Sequence, residues 1–230
     1  MGLSVTPNVS WMTSTDYDHV TDGTKLNFGF EFNTDIMFNE TYAFGTGIHI
    51  FNTGGAISYL VVDQENEAFL ETVERNYMLK YVEIPLTFKL RTKEMGYSTI
   101  YGRFGLGLGM NIRAEANEAS YRSWVQSFAG NWEQFNIAGD HEYEMEDVQS
   151  DVKLFRSSMI VGGGVERSLG GESSLIIGVN YNVAFLNTHK EVEQVRVGSE
   201  GTPTIVNGLP SMGDIKGHDN TIELVLGLLF

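Results

Sequence analysis

The 230-residue sequence contains no cysteine and only 4 prolines. Without cysteine the chain can form no disulfide framework, thiolate nucleophile or cysteine-based zinc site. No run of about 18 apolar residues is present, so no transmembrane helix is predicted. Basic residues are also scarce, since 15 Lys and Arg stand against 30 Asp and Glu and give a formal net charge of −15. A chain this acidic argues against nucleic acid as a partner.

The first eleven residues, MGLSVTPNVSW, have neither the basic region nor the apolar region of a signal peptide. We therefore expect the sequence to be the mature part of an exported protein, with its signal peptide removed and an initiator Met added. No linker or change of composition divides the chain, so residues 1–230 are predicted to form a single domain.

Eight segments alternate apolar and polar residues with a period of two, which is typical of a strand with two unlike faces. The C-terminal segment shows it clearly, because every even position from Ile222 to Phe230 is apolar, whereas the odd positions are Thr, Glu, Val, Gly and Leu. Most of the segments reach the roughly 9–11 residues that a tilted strand needs to cross a bilayer. They span residues 3–11, 24–37, 41–52, 77–91, 99–115, 152–167, 173–188 and 217–230.

The polar faces of these segments carry charges of both signs in equal number, although the whole chain is acidic. In a closed barrel of eight strands the interior is just wide enough for side chains to fill, and buried charges must pair. We therefore predict a lumen charge network and no open pore. Its basic members are Lys25, Lys89, Arg103, Arg113 and Arg156, and its acidic members are Glu31, Asp35, Glu83, Glu166 and Glu223.

The connections between the segments alternate in length. Three are short, at 38–41, 92–97 and 168–172, and four are longer, at 13–23, 61–76, 114–151 and 189–218. Short periplasmic turns and long extracellular loops are typical of bacterial outer-membrane barrels. The sequence thus predicts an all-β fold, an eight-stranded antiparallel up-and-down transmembrane β-barrel in the outer membrane, with both termini periplasmic.

No motif indicates catalysis, a cofactor or a metal. His141 is followed by acidic residues, but the second His of an H-E-x-x-H motif is missing, so a solvated acidic loop is favoured. The glycines of RFGLGLGMN (103–111) lie within a predicted strand and do not open a helix, which argues against nucleotide binding. We expect a protein that is not an enzyme and holds no cofactor or metal.

The longest predicted loop contains aromatic residues at intervals of three and four, which is helical spacing. A short helix or folded cap over the barrel mouth is one interpretation. The other is a contact surface for a partner protein or a glycan. The residues are Tyr121, Trp124, Phe128, Trp132 and Phe135.

Two neighbouring segments, YVEIPLTFKLR (81–91) and YGRFGLGLGMNI (101–112), resemble the PorT-like family of outer-membrane β-barrels. The resemblance lies in the E-I-P-L motif that begins at Glu83 and in the glycine-alternating strand that follows. It implies an eight-stranded barrel of the porin-family type in a Gram-negative outer membrane, and its founding member serves protein secretion. Phe230 is similar to the C-terminal signal that barrel-assembly machinery reads. Pro85 lacks a ladder donor, so a bulge and a local kink of the strand are expected there.

The predicted role is structural or interactive, as a barrel that presents extracellular loops to a partner or ligand. The resemblance implies a role as an accessory of a protein-secretion machinery. The expected partners of the barrel are outer-membrane lipid, the barrel-assembly machinery during biogenesis and a protein at the loops. Two alternatives remain at this stage. One is an outer-membrane barrel enzyme with a loop-side active site, and the other is a soluble lipocalin-like barrel with its apolar face inside.

Overall fold

A computed structural model describes the chain as strands joined by turns and irregular segments. Among the described residues, no helix is long and apolar enough to cross a membrane. The described residues are 1–14, 20–127, 131–135, 141–171, 173–190, 193–198 and 202–230.

Eight long strands, β1 to β8, form the body of the fold, and the first two of them are interrupted. β1 consists of Gly2–Val5 and Asn8–Ser14, and β2 consists of Lys25–Asn27 and Gly29–Met37. The others are β3 Tyr42–Val62, β4 Phe69–Arg91, β5 Ser98–Gln126, β6 Phe155–Gly170, β7 Ser173–Ala184 and β8 Gly217–Leu229.

The eight strands close into a ring. Each pairs antiparallel with its neighbours in the chain, and β1 also pairs with β8, with Leu3 opposite Leu228 and Val9 opposite Ile222. A closed sheet leaves no unpaired edge along the barrel wall. The predicted eight-stranded antiparallel barrel is confirmed.

An apolar band surrounds the outer wall of the barrel. It is formed by the apolar residues of the alternating segments, which point outward. Ile84, Leu106 and Val179 each expose about half of their surface, at 49%, 50% and 50%. Neighbouring strands carry the same face outward, including Phe30 and Leu228. The soluble lipocalin-like alternative required this face to point inward, so the structure contradicts it.

Three strands are longer than predicted. β3, β4 and β5 contain 21, 23 and 29 residues and continue past the apolar band on the loop side. We call residues 53–62, 69–80 and 113–126 the loop-side extension. Much of the predicted loops 61–76 and 114–151 is therefore strand. Above the band the outward face meets water, so its residues become polar and the apolar alternation that marked the strands fades.

Shorter strands widen this extension. His141–Asp147 pairs with β5, Glu193–Val195 pairs with Met212–Asp214 and contacts β3 at Leu60, and Val20–Asp22 pairs with β3. Trp132–Gln134 also returns along the end of β5. The extension is thus a multi-stranded sheet that continues the barrel wall.

A β-bulge in β5 separates the membrane-spanning part from the extension. Lys80 of β4 lies opposite Arg113, but the next residue, Tyr81, lies opposite Asn111, so Ile112 is left over. A bulge shifts the alternation by one residue. Arg113 consequently points outward, with 64% of its side chain exposed, and the prediction that it faces the lumen is wrong.

The bulge expected at Pro85 is absent. Pro85 lies opposite Gly107 of β5 in an unshifted register, and the nearest register shift between these strands is at Lys80 and Tyr81. The ladder between β4 and β3 skips Ile84 and Pro85 without a change of register. The barrel therefore accommodates the missing donor through this local gap in pairing.

Leu106 lies at the centre of the apolar stretch of β5, so Leu106→Arg would place a charge near the middle of the bilayer. We expect the free energy of unfolding in lipid vesicles to fall by about 2–4 kcal/mol, as for a basic residue on the lipid face of other barrels. Denaturant titration measures this. The matched control is Asn76→Arg on the exposed face of the extension, which should change stability little; equal losses would contradict the placement of the band.

Candidate functional site

The barrel interior is filled by an ionic layer within the membrane-spanning part and by an apolar layer on its loop side. The ionic layer consists of three groups of charged side chains, each drawing on different strands. Their geometry decides whether the barrel can conduct, bind or catalyse.

Arg156 forms the first group. Its Nη1 lies 2.6 Å from Oε2 of Glu83 and its Nη2 lies 2.9 Å from Oδ2 of Asp219. All three side chains are almost completely buried, and the guanidinium also lies 5.3 Å from the centre of the Phe51 ring. β4, β6 and β8 are thereby joined through the lumen. Charge-assisted hydrogen bonds favour one geometry here, because a buried charge that lost its partner would be left unpaired in the lumen.

Neutral side chains complete this group. Ser158 Oγ donates to Glu83 over 2.9 Å, and Asn182 Nδ2 donates to the other Glu83 oxygen over 3.1 Å. Gly107 makes room for the carboxylate, because a Cβ at that position would lie 2.4 Å from the carboxyl carbon of Glu83. The glycine alternation of β5 is therefore partly explained by the charges it faces.

Arg103 forms the second group. Its Nη1 lies 3.0 Å from Oε1 of Glu31, and its Nε donates to Asn180 over 2.8 Å. Asn180 in turn donates to Glu223 over 3.4 Å, and Thr221 donates to the same carboxylate over 3.3 Å. Asn180 thus connects Glu223 to the charged pair.

Lys89 forms the third group, on the turn side of the lumen. Its Nζ lies 2.5 Å from carboxylate oxygens of both Asp35 and Glu166, and Arg91 reaches Glu166 at 2.7 Å. The ammonium also lies 4.7 Å from the centre of the Tyr101 ring, within the range of a cation–π contact.

The structure brings eight of the ten predicted lumen residues into these groups: Glu31, Asp35, Glu83, Lys89, Arg103, Arg156, Glu166 and Glu223. Lys25 instead donates a 3.0 Å hydrogen bond to the Tyr77 carbonyl, and Arg113 lies outside the barrel. Sequence reasoning missed Arg91 and Asp219. Asp219 shares the parity of Glu223 and could have been found by extending the inward face of β8 toward its start.

The apolar layer closes the loop side of the lumen. Phe51, Tyr77 and Tyr81 are each 1% exposed and pack against the fully buried Ile215. On the turn side, the cavity beside Lys89 and Arg103 measures about 10 Å³, which is about the smallest volume that can hold one water molecule. The described interior is therefore packed.

Tyr121 and Trp124 lie in the loop-side extension, and Trp132 lies in the short strand that pairs with its end; none of the described residues of the aromatic set is helical. Trp124 is 9% exposed and packs with Leu60 and Leu70. Trp132 packs against the same cluster because its strand pairs back onto β5. The short helix of the first interpretation is wrong for the described residues, because Tyr121 and Trp124 lie in β5 and Trp132 lies in a strand that pairs back onto it.

Two other aromatic residues of this set, Phe135 and Tyr121, lie at the margin of the extension. Phe135 lies with its ring 5.9 Å from that of Phe69, and the Tyr121 hydroxyl donates to Glu74 over 3.3 Å. Phe128 is outside the described residues. Whether these side chains contact a partner stays a prediction.

Ion pairs also fix the extension. Arg122 donates to Asp63, whose other oxygen accepts from the backbone N–H of Glu65 over 2.7 Å. Burial raises the pKa of Asp63, but these hydrogen bonds outweigh burial and hold the pKa below its usual value. Arg75 joins Glu118 to Asp151, with its Nη1 3.1 Å from the latter. These contacts connect β4 and β5 of the extension to the segments that border it.

Nothing in the described part of the chain gathers three or more His, Asp or Glu side chains in an arrangement that could hold a metal ion. The lumen carboxylates Glu83, Glu31 and Glu166 instead accept from basic side chains. These ion pairs connect strands across the lumen and so stabilise the barrel.

Arg156→Met would leave two buried carboxylates without their cation. We expect a loss of about 3–5 kcal/mol in the free energy of unfolding, because removing one member of a buried ion pair leaves the remaining charge buried without a partner. The matched control is Arg167→Met, which removes an exposed arginine with a hydrogen bond to Ser98 and should change the free energy of unfolding by less than about 1 kcal/mol. Denaturant titration in vesicles measures both, and a similar loss in the two variants would show that the lumen group is not the stronger one.

Three solved structures are similar to this chain at low identity, each with a TM-score below 0.5. Ail of Yersinia pestis, in complex with the heparin analogue sucrose octasulfate, is 14% identical, with a TM-score of 0.41 over 100% of this chain and 97% of that chain. Neisserial surface protein A is 9% identical, with 0.44 over 99% and 94%. OprG of Pseudomonas aeruginosa is 7% identical, with 0.42 over 99% and 93%.

No curated protein matches the chain in sequence. A family model described as outer membrane protein beta-barrel domain matches residues 2–190, which is most of the chain. The match includes β1 to β7 and agrees with the closed barrel and its apolar outer band. The chain therefore belongs to the outer membrane protein beta-barrel domain family and is a transmembrane β-barrel of the bacterial outer membrane.

Proposed function

We propose that this outer-membrane barrel is a non-catalytic protein that displays its loop-side extension to a protein partner outside the cell, with both termini in the periplasm. The observation that carries the proposal is the extension itself. Three strands continue beyond the apolar band as a paired sheet, and internal ion pairs such as Arg122 with Asp63 fix it. A preformed surface binds at a lower entropic cost than a loose loop.

The charge of this region supports a basic partner surface. Residues 61–74 and 141–151 each contain five acidic residues and no Lys or Arg. Glu65 is among the exposed ones, with 86% of its side chain accessible. Complementary charge steers association and fixes orientation. A partner with a basic face is therefore favoured over an acidic one.

The resemblance to the PorT-like family supports a finer proposal, in which the partner belongs to a protein-secretion machinery. During biogenesis, the exposed terminal Phe230 is proposed to be read by the barrel-assembly machinery, and outer-membrane lipid surrounds the mature barrel. Tyr121, Trp132 and Phe135 are proposed to contribute to the partner surface, since all three are partly exposed.

The packed lumen supports a role that does not involve catalysis or conduction. Its carboxylates hold basic side chains, and the space beside Lys89 is about 10 Å³. A substrate would have no room there. The role we propose therefore falls on the outer surfaces.

Single cysteines test the orientation cleanly because the native chain has none. In intact cells, Glu67→Cys at the exposed loop side should react with a membrane-impermeant maleimide, whereas Lys93→Cys on a turn should react only after the outer membrane is opened. The opposite pattern would overturn the proposed orientation.

The same cysteine can test the partner. A photo-crosslinker attached at Glu67→Cys should give one discrete crosslinked species, and replacing exposed Glu133 and Glu146 by Gln should weaken it severalfold. The matched control replaces Glu40 and Glu94, on the turns, by Gln and should leave it unchanged. A barrel that crosslinks only to lipid, or to the same extent in both variants, would contradict a basic protein partner.

A further inference from the structure

Two basic residues lie side by side on the outer wall of this acidic protein. Lys80 of β4 and Arg113 of β5 are directly opposite each other in the antiparallel ladder, and Asn52 of β3 lies opposite Lys80 on its other side. The three form one row across the sheet. Side chains directly opposite on one face are neighbours, and like charges in such positions repel. An anion between them would relieve that repulsion.

The β5 bulge creates this pair. In a regular strand, Arg113 would point into the lumen like Asn111, two residues before it, as the sequence pattern predicted. The register shift after Asn111 turns Arg113 outward, where 64% of its side chain is exposed. Arg113 is therefore not part of the lumen charge network, and it lies beside Lys80 as a second cation on the outer wall.

The row marks the loop-side edge of the apolar band. The next row toward the membrane centre consists of Ile50, Val82 and Met110, which face lipid. One row further out, Met78 lies opposite Glu115. Lys80 and Arg113 are thus at the level where hydrocarbon gives way to the polar headgroup region, which is where lipid phosphates lie.

A pocket of about 260 Å³ is present at this position, and its lining includes Asn52, Met78, Lys80, Arg113 and Glu115. It offers an ammonium, a guanidinium and an amide as donors, with an apolar thioether beside them. Glu115 lies 2.5 Å from Arg113 Nη2 and neutralises one of the two positive charges. One net positive charge remains, which suits a single phosphodiester.

We propose that Lys80 and Arg113, together with Asn52, bind the anionic phosphate of a membrane-lipid headgroup at the loop-side edge of the apolar band. The inference rests on the barrel's place in the outer membrane and does not depend on the proposed protein partner. The same donors could meet a soluble phosphate, but the adjoining lipid-facing row places the headgroup of a bilayer lipid within their reach. The site would fix the height of the barrel in the membrane and retain a lipid beside β4 and β5.

The full chain, refolded in a non-ionic detergent, can be tested by native mass spectrometry with phosphatidylglycerol as the probe and diacylglycerol of the same chain length as the uncharged comparison. Replacing Lys80 and Arg113 by Gln should weaken phosphatidylglycerol binding roughly tenfold, because charge-assisted contacts to the phosphate are lost. The matched control replaces Lys93 and Arg167 on the turn side by Gln and removes the same charge; it should change binding less than about twofold.

Glu115→Gln tests the direction of the effect. It removes a carboxylate that repels the phosphate and frees Arg113, so binding should become severalfold tighter, and a folding defect cannot imitate a gain. Retention of the compact, heat-modifiable band on a denaturing gel shows that each variant is folded. Unchanged binding after replacement of Lys80 and Arg113 in a folded variant would overturn the site.

Two further outcomes decide the identity of the ligand. Equal binding of diacylglycerol would show that the phosphate is not recognised and would overturn the proposal. Inorganic phosphate is titrated separately, with the same variants. If it binds as tightly as phosphatidylglycerol and is lost with Lys80 and Arg113, the site takes a soluble anion, and the lipid assignment is overturned. Much weaker binding of inorganic phosphate supports the lipid headgroup.

Discussion

The structure depends first on the need to satisfy every backbone N–H and C=O group where no water is available. In a bilayer, a sheet can meet that requirement only by closing on itself. The pairing of β1 with β8 does this, and it leaves no unpaired edge toward lipid. Closure with eight strands then fixes a narrow interior that side chains must fill. The apolar outer face and the packed inner face are both consequences of that closure.

Filling the interior with charges imposes a second constraint, since each buried charge needs a partner. Arg156, Arg103 and Lys89 meet it by drawing carboxylates from strands on different sides of the lumen. These pairs tie non-neighbouring strands together, which the backbone ladder alone cannot do. Toward the loop side the same interior becomes apolar around Tyr77 and Phe51, so the fold changes from ionic to hydrophobic packing along its axis.

The strand parity, the closed barrel and most of the lumen charges could be predicted from the sequence, because lipid outside and a narrow lumen inside impose a strong period of two. The failures arise where that contrast is lost. The unpaired Ile112 shifts the alternation of β5 by one residue, so Arg113 points outward. No local sequence pattern predicts this bulge. In the extension both faces meet protein or water, so strands such as the end of β5 resemble loops or helices in sequence.

The aromatic segment illustrates the same limit. Trp124 and Trp132 have helical spacing in the chain, yet they meet because a strand turns back on β5. Spacing alone cannot distinguish a helix from a strand and its return. The residues that fill the lumen account for the fold of the barrel. The proposed partner and lipid contacts lie on outer surfaces, where residues from separate strands come together only in the folded structure.

Ion pairs and an apolar layer fill the lumen, so the barrel supports the outer wall and the extension without conducting. Single-channel recording of the refolded full chain in a planar lipid bilayer measures this. We expect insertion without stable conductance steps at neutral pH and moderate voltage. Reproducible, ohmic steps from the native chain would show a continuous aqueous path and would overturn the packed interior.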